Sequence, residues 1–161
     1  MIDPIDADGE WTQVAGRLAG VRNYWLATTG PAGPHTTPVW GVVVDRALYL
    51  YSTRSSLKAR NLARDPRATV HLESGDDVCI VHGHLFDRGD PLQHPRVVEA
   101  LSAKYNRRGD GGYLPSGDPS FDVLYQLQPR RALMWSLDDF DGSQRRWAAG
   151  PGAKEGIHSA P

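Results

Sequence analysis

Hydrophobic and polar residues alternate along much of the chain, and the alternation stops at glycine, proline and aspartate. Alternation with period two, rich in β-branched and aromatic residues, is typical of half-buried strands. It predicts strands over residues 23–29, 36–44, 48–53, 68–73, 78–86, 121–127 and 131–137. Apolar residues three and four apart predict helices over residues 8–19, 55–63 and 95–106, the first of them capped by Asp8. Tight turns between neighbouring strands favour an antiparallel sheet that closes, or nearly closes, on itself.

The chain has 161 residues, which is the length of one domain. We expect this domain to span residues 1–149. Residues 150–161 are polar and contain glycine and proline, which is typical of a disordered tail. Residues 107–119 are rich in glycine, aspartate and proline. A loop of this length is a candidate lid or wall of a substrate site.

Composition argues against several classes of partner and location. The 18 basic and 19 acidic residues nearly balance, which argues against a nucleic-acid binder. No apolar run is long enough to span a membrane, and the acidic N-terminus is unlike a signal peptide. The single cysteine, Cys79, excludes an internal disulfide framework and is expected to be a buried strand residue. The expected location is therefore the cytoplasm.

One segment concentrates the positive charge. Residues 54–67 contain five basic side chains and one acid, a net charge of +4. The segment follows a predicted strand, passes through serine and threonine residues, and enters a helix that begins near Lys58. A helix start offers free N–H groups and a positive dipole to an anion, and hydroxyl and basic side chains add donors. The residues alone leave two interpretations open, a phosphate site and a solvated basic helix face.

Residues 51–58, YSTRSSLK, resemble the phosphate-binding segment of the pyridoxamine-phosphate-oxidase-like flavoproteins. In that superfamily a tyrosine and small hydroxyl residues precede Ser-x-Lys at a helix start and hold the flavin phosphate. Residues 24–41 and 67–77 extend the resemblance, which is closest to the flavin/deazaflavin oxidoreductases of group B. The resemblance implies a mainly β split barrel with short helices, in a homodimer that holds its cofactor at the interface.

The resemblance also implies which residues bind the cofactor. One strand backs the cofactor ring, and an arginine with an aromatic residue near the chain end reaches the cofactor, sometimes from the second subunit. No side chain stands out as a catalytic acid or base. The implied cofactor-binding residues are Thr36, Thr37, Pro38, Val39, Trp40, Tyr51, Ser52, Thr53, Ser56, Lys58, Arg60, Asn61, Arg146 and Trp147. Two alternatives stay open: Trp40 packs in the core or a dimer, and residues 144–147 form an ordinary final strand.

One position departs from the family pattern. Flavin-using oxidases carry an arginine immediately before the lysine, and this chain has Leu57. Arg54 or Arg60 could replace the missing guanidinium. The change favours coenzyme F420, a deazaflavin with a phosphate and an anionic oligoglutamate tail, over FMN. The expected activity is hydride transfer to a small conjugated acceptor.

Three alternative functions remain. The first is an FMN-dependent oxidoreductase with the same fold. The second is a non-enzymatic carrier of a flavin, a deazaflavin or a haem-type ligand. The third is an interaction domain with an empty groove. The sequence favours no metal site, because His82 and His84 share a strand face without a third ligand. The aspartate pairs at 76–77 and 138–139 are attributed to turns.

Overall fold

The computed structural model describes residues 4–106 and 109–150, with side chains from residue 9 onward. Its eight strands form one antiparallel sheet. The strands are β1 (Tyr24–Gly30), β2 (Gly33–Val39), β3 (Gly41–Val44), β4 (Ala47–Ser52), β5 (Arg67–His71), β6 (Asp77–Asp87), β7 (Val123–Ser136) and β8 (Arg145–Ala148). Their order is β2-β1-β5-β6-β7-β4-β3, and β8 pairs with the second half of β7.

Among the described residues, four α-helices accompany the sheet: α1 (Pro4–Ala19), α2 (Leu57–Arg64), α3 (Pro95–Tyr105) and α4 (Phe140–Ser143). Short 3-10 helices lie at Pro91–Gln93, Asp110–Tyr113 and Leu137–Asp139. Helix α2 packs against β1, and α3 packs against β3. The predicted mainly β split barrel with short helices is confirmed. No helix in the described part of the chain is long and apolar enough to cross a membrane.

Two clusters of buried side chains join the helices to the sheet. The larger includes Leu18 of α1 and Tyr24 of β1, both fully buried, and also Cys79 of β6. Cys79 is therefore a buried strand residue, as predicted. The smaller cluster packs Leu101 and Tyr105 of α3 against β3, β4 and the start of β7. The helical spacing of apolar residues predicted this inward face of α3.

The predicted single strand over residues 36–44 is wrong. Strand β2 ends at Val39 and β3 begins at Gly41, so the chain passes at Trp40 from one edge of the sheet to the other. A side chain at Gly41 would overlap the Tyr49 carbonyl oxygen, so this close approach of two strands requires glycine. Gly41 and Tyr49 lie on different strands, so the alternation within residues 36–44 does not reveal their close approach.

The predicted strands over residues 121–127 and 131–137 are instead one strand, β7. Pro129 lies opposite Gly83, next to the point where the register of β6 shifts. A side chain at Gly83 would overlap the Gln128 carbonyl oxygen. The irregularity and the glycine together let a long strand continue through a proline.

The first helix begins earlier than predicted, and most of the predicted tail is not described. Helix α1 begins at Pro4, so Asp8 lies within the helix and does not cap it. The prediction of a disordered tail falls almost entirely on residues 151–161, which lie outside the described residues.

Candidate functional site

The start of α2 is built from two serines. Ser56 caps the helix, and its Oγ accepts a hydrogen bond from the Ala59 N–H at 3.3 Å. Ser52, at the end of β4, is buried and lies 3.2 Å from Ser56, hydroxyl to hydroxyl. The first turn carries no acidic residue. The earliest N–H groups of a helix have no acceptor within the helix, so this end favours an anion.

Lys58 lies in this first turn and is half-buried. Burial lowers the pKa of its ammonium group, because removal from water disfavours the charged form. Within the described residues, no acceptor forms a hydrogen bond or ion pair with Lys58. A half-buried cation without an acceptor, at a helix start lined by hydroxyls, has the chemistry of an anion site.

The two arginines expected to replace the missing guanidinium at position 57 both have acceptors in the protein. Arg54 forms a two-point ion pair with Asp87, which raises the pKa of the arginine. Its backbone N–H donates to Asp122 at 2.8 Å. Arg60 donates to the Ser55 carbonyl at 2.6 Å and is otherwise exposed. Arg60 therefore has further donors for a ligand, whereas the Arg54 guanidinium is held by a carboxylate.

Three other residues of the predicted set have contacts within the fold. Tyr51 is buried, and its hydroxyl donates to the Tyr113 carbonyl at 2.7 Å. The Thr53 carbonyl accepts from the Ser56 N–H, which shapes the turn before α2. Asn61 is buried and donates to Thr28 of β1 at 3.1 Å. These contacts fix α2 and the preceding turn, and a direct contact of the three residues with cofactor stays a prediction.

Strand β2 is an edge of the sheet, since it pairs with β1 alone. Its Thr36 and Pro38 side chains are exposed on one face, while Thr37 and Val39 face the other way. An edge strand offers main-chain N–H and C=O groups that no neighbouring strand uses. This arrangement suits a strand that binds the polar edge of a planar ring.

Trp40 ends this segment and is half-buried. Its ring stacks on Tyr105 of α3, with centroids 4.5 Å apart and planes within 7°. Its Nε1 donates to Asn23 Oδ1 at 3.0 Å, and Tyr113 meets it edge-on. Trp40 therefore packs against the smaller buried cluster, and its contact with a cofactor ring stays a prediction.

A basic groove of about 440 Å³ crosses the outer face of the sheet. Antiparallel register places Ala27, Thr69, His82 and Arg131 side by side on four strands, and Thr36 of β2 extends the row. The His82 ring lies 2.9 Å from the Thr69 hydroxyl, and burial together with Arg131 lowers the pKa of His82. The groove is also lined by Thr29, Arg67, His84 and Arg130.

Sequence reasoning did not predict this groove. Its residues lie on five strands and become neighbours only through the register of the sheet. Period-two alternation indicates only that Arg67 shares a strand face with Thr69, and His82 with His84; it does not indicate that these strands are neighbours. In the described part of the chain, no group of three or more potential ligands could hold a metal ion.

A model of the pyridoxamine 5'-phosphate oxidase family matches residues 12–135, more than half of the chain. The chain belongs to this family. The matched region includes residues 51–58, the start of α2, strand β2 and the basic groove.

Solved structures share the fold. A conserved hypothetical protein, Rv2991 from Mycobacterium tuberculosis, is 29% identical, with 88% of this chain and 93% of that chain covered and a TM-score of 0.66. An F420 reductase is 22% identical, with 69% and 88% covered and a TM-score of 0.54. A heme binding protein from Mycobacterium smegmatis is 19% identical, with 92% and 60% covered and a TM-score of 0.64. No curated protein matched the chain.

The C-terminal residues that the family resemblance implies at the cofactor are distant from α2. They lie on β8, which pairs with β7, whereas α2 packs against β1. Arg146 and Trp147 belong to β8, which pairs with the second half of β7. Trp147 packs against Trp11 of α1, with ring centroids 4.9 Å apart, and Arg146 is exposed. The two residues therefore belong to a final strand, and a role at the cofactor stays a prediction.

Proposed function

We propose that this family member is an oxidoreductase that uses coenzyme F420 for hydride transfer to a small conjugated acceptor. The observation that carries the proposal is Lys58, a half-buried cation without an acceptor in the described residues, beside the Ser52–Ser56 hydroxyl pair. We also assign the chain to group B of the flavin/deazaflavin oxidoreductases. A cytoplasmic location, expected from the single cysteine, is part of this proposal.

The donor set fits a phosphorylated cofactor. Two hydroxyls, a helix start and an ammonium group without a counter-charge suit a phosphate, and Arg60 adds a flexible guanidinium at the surface. Lys58 would balance the phosphate charge, while Ser52 and Ser56 would orient it. When bound, the deazaflavin would supply the hydride from its C5.

The basic groove supports the deazaflavin over FMN. Arg67 lines the groove three residues after α2 ends, so the proposed phosphate site and the groove belong to neighbouring parts of the chain. Arg131 extends the positive lining across the sheet, and His82, whose pKa is lowered, adds a ring nitrogen beside it. FMN ends at its phosphate, whereas the oligoglutamate tail of F420 carries further carboxylates that Arg131 would bind. The Arg67 guanidinium is already paired with Asp65.

We propose a homodimer with the cofactor at its interface. The outer face of the sheet carries a partly exposed apolar row that includes Trp25, Ile80 and Leu133. A second copy would cover this row through a twofold contact. Arg146 pairs with Leu133 at the end of the same row, so the partner surface would bring Arg146 toward the other copy's cofactor.

Of the predicted loop over residues 107–119, residues 107–108 lie outside the described residues, and its described part is proposed as a wall of the acceptor site. Contacts with Arg22 and Tyr51 anchor it, and Arg54 binds Asp122 just after it. The Tyr113 side chain remains 65% exposed beside Trp40. The anchored backbone and the exposed ring suit a fixed wall that contacts the acceptor.

The deciding experiment titrates the protein with coenzyme F420 and with FMN, following ligand fluorescence. We expect tighter binding of F420, and Lys58→Ala should weaken it by about 10- to 150-fold, the cost of one charged hydrogen bond. Arg64→Ala is the matched control, because Arg64 is an exposed basic residue in the last turn of the same helix. Tighter binding of FMN, or equal affinity in Lys58→Ala, would contradict the proposal.

The same preparations separate enzyme from carrier. A carrier binds its ligand tightly and oxidises no reduced deazaflavin when conjugated acceptors are supplied. We therefore expect acceptor-dependent loss of reduced F420 absorbance. Tight binding of haem, with no such loss, would favour the carrier alternative, for which the heme binding protein of the same fold provides the precedent.

A further inference from the structure

Helix α3 brings Lys104 and Tyr105 to the crossing between β2 and β3, where both bind the backbone of Gly41. Lys104 Nζ donates to the Gly41 carbonyl at 2.8 Å and to the Tyr24 hydroxyl at 2.8 Å. The Gly41 N–H donates to the Tyr105 hydroxyl at 3.0 Å. Two adjacent side chains of one helix therefore hold both polar groups of one residue.

The protons available at this site make Lys104 necessary. The Tyr105 hydroxyl has one proton and two carbonyl oxygens within reach, Arg22 at 2.7 Å and Gly41 at 2.9 Å. When the Tyr105 hydroxyl donates this proton to the closer Arg22 carbonyl, the Gly41 carbonyl depends on Lys104 for a hydrogen-bond donor. Tyr24 in turn donates its own proton to Leu18, so its oxygen accepts from Lys104.

The two segments joined in this way are the ones that hold Trp40. Asn23 accepts from the indole N–H, and the Arg22 guanidinium carbon lies 4.8 Å from the centre of the ring. Tyr105 stacks on the ring, and Gly41 follows Trp40 in the chain. A shift of Gly41 relative to Arg22 would move the tryptophan, and with it the end of β2.

We propose that Lys104 is a positioning residue that fixes the Trp40 end of β2. This inference rests on the proposed function, in which the edge of β2 contacts the cofactor ring. Lys104 acts through Gly41 and Tyr24 and touches no cofactor. Its removal leaves the single Tyr105 hydroxyl proton to serve two carbonyls, those of Gly41 and Arg22, and frees the crossing to move.

The charged and titratable groups that face Lys104 are Tyr24 from β1, Tyr105 from its own helix, and Arg22 from the segment before β1, which pairs with Asp110. Burial and the charge of Arg22 lower the pKa of Lys104 to about 8. The aromatic rings favour the charged form but do not offset burial. The environment of Trp40 is therefore expected to change near pH 8.

The test follows the indole N–H signal of Trp40 by NMR, assigned with Trp40→Phe. In the wild type the signal should move with a midpoint near pH 8. Lys104→Met, which keeps the apolar length without the charge, should displace the signal at pH 7 and abolish the titration. Glu99→Gln, on an exposed site of α3, should reproduce the wild-type curve. Lys104→Gln retains a donor and provides a second variant if Lys104→Met does not fold.

A Trp40 signal unchanged by both Lys104 variants would overturn the positioning role. Coenzyme F420 titrations provide the second readout, and we expect about tenfold weaker binding to Lys104→Met. If the wild type does not bind F420, the proposed function fails, and the NMR result still decides whether Lys104 fixes Trp40. If F420 binds wild type and variant equally while Trp40 moves, the inferred effect on the cofactor edge is wrong.

Discussion

Lys58 and Lys104 occupy two regions of the molecule and share one property: burial lowers the pKa of both. Their surroundings differ. Lys104 donates to two oxygens and lies against two aromatic rings, whereas no acceptor in the described residues contacts Lys58. A lowered pKa therefore reports removal from water and does not by itself identify a binding site. The presence or absence of acceptors separates a lysine that holds the fold from one available to a ligand.

The largest expected change in stability follows from a substitution at Tyr105, which lies next to Lys104 and shares its contact with Gly41. Tyr105→Phe keeps the stacking on Trp40 but removes the hydroxyl that links the Gly41 N–H to the Arg22 carbonyl. One buried and one partly buried backbone group then lose a partner, and the free energy of unfolding should fall by about 2–4 kcal/mol. Chemical denaturation measures this change.

Tyr113→Phe is the matched control for that substitution. The Tyr113 side chain is exposed, and only its backbone carbonyl accepts from Tyr51, so the loss of its hydroxyl should change stability by less than about 0.5 kcal/mol. Equal effects of the two tyrosine substitutions would show that the Gly41 network does not stabilise the fold.

The two regions were not equally visible in the sequence. The start of α2 is local: paired serines, a lysine and a terminal Asp-Pro lie within a dozen residues, and the helix begins at Leu57 as this pattern indicates. Local chemistry of this kind determines a helix cap regardless of what packs on it. The sequence of residues 51–61 therefore predicts both helix α2 and the side chains that could donate to a ligand at its start.

The Gly41 network is not local, which is why the sequence did not reveal it. Helical spacing predicted that Tyr105 faces inward, but nothing near Lys104 indicates that its ammonium group meets a carbonyl from residue 41. The same reason explains the strand broken at Trp40 and the unpredicted basic groove. Each depends on which strands are neighbours, and alternation along one strand carries no information about its neighbours.

The second prediction concerns pH and again separates the two lysines. Lys104 has a pKa of about 8 in the folded protein and an ordinary value of 10.5. Between these values the unfolded chain binds more protons, so the free energy of unfolding should rise with pH. Because Lys104 is partly exposed, we expect a rise of only about 1 kcal/mol.

Denaturation of wild type and Lys104→Met across about pH 8 to 10 measures this effect as a difference. The variant should lack the rise. Burial raises the pKa of Tyr105 to about 12, which lowers stability only at higher pH and acts in both proteins. Parallel curves for the two proteins would indicate that Lys104 titrates normally.

The third prediction examines the start of α2 without its lysine. Ser56→Ala removes the cap of the Ala59 N–H and the contact with Ser52, and should cost about 1 kcal/mol of stability. The exposed Ser55 provides the control, since Ser55→Ala leaves the cap intact. Thermal unfolding compares the two. F420 affinity should fall in Ser56→Ala alone, because the proposed phosphate loses a hydroxyl donor.

The smallest expected change in stability, that of Lys58→Met, best separates the two lysines. Lys58→Met removes a half-buried charge that has no acceptor in the described residues, so the unfolding free energy should stay within about 0.5 kcal/mol of wild type or rise. F420 affinity should nevertheless fall sharply. A loss of stability of more than about 1 kcal/mol would mean that Lys58 holds the fold. The contrast between the two lysines would then disappear, because burial would have the same structural origin at both sites.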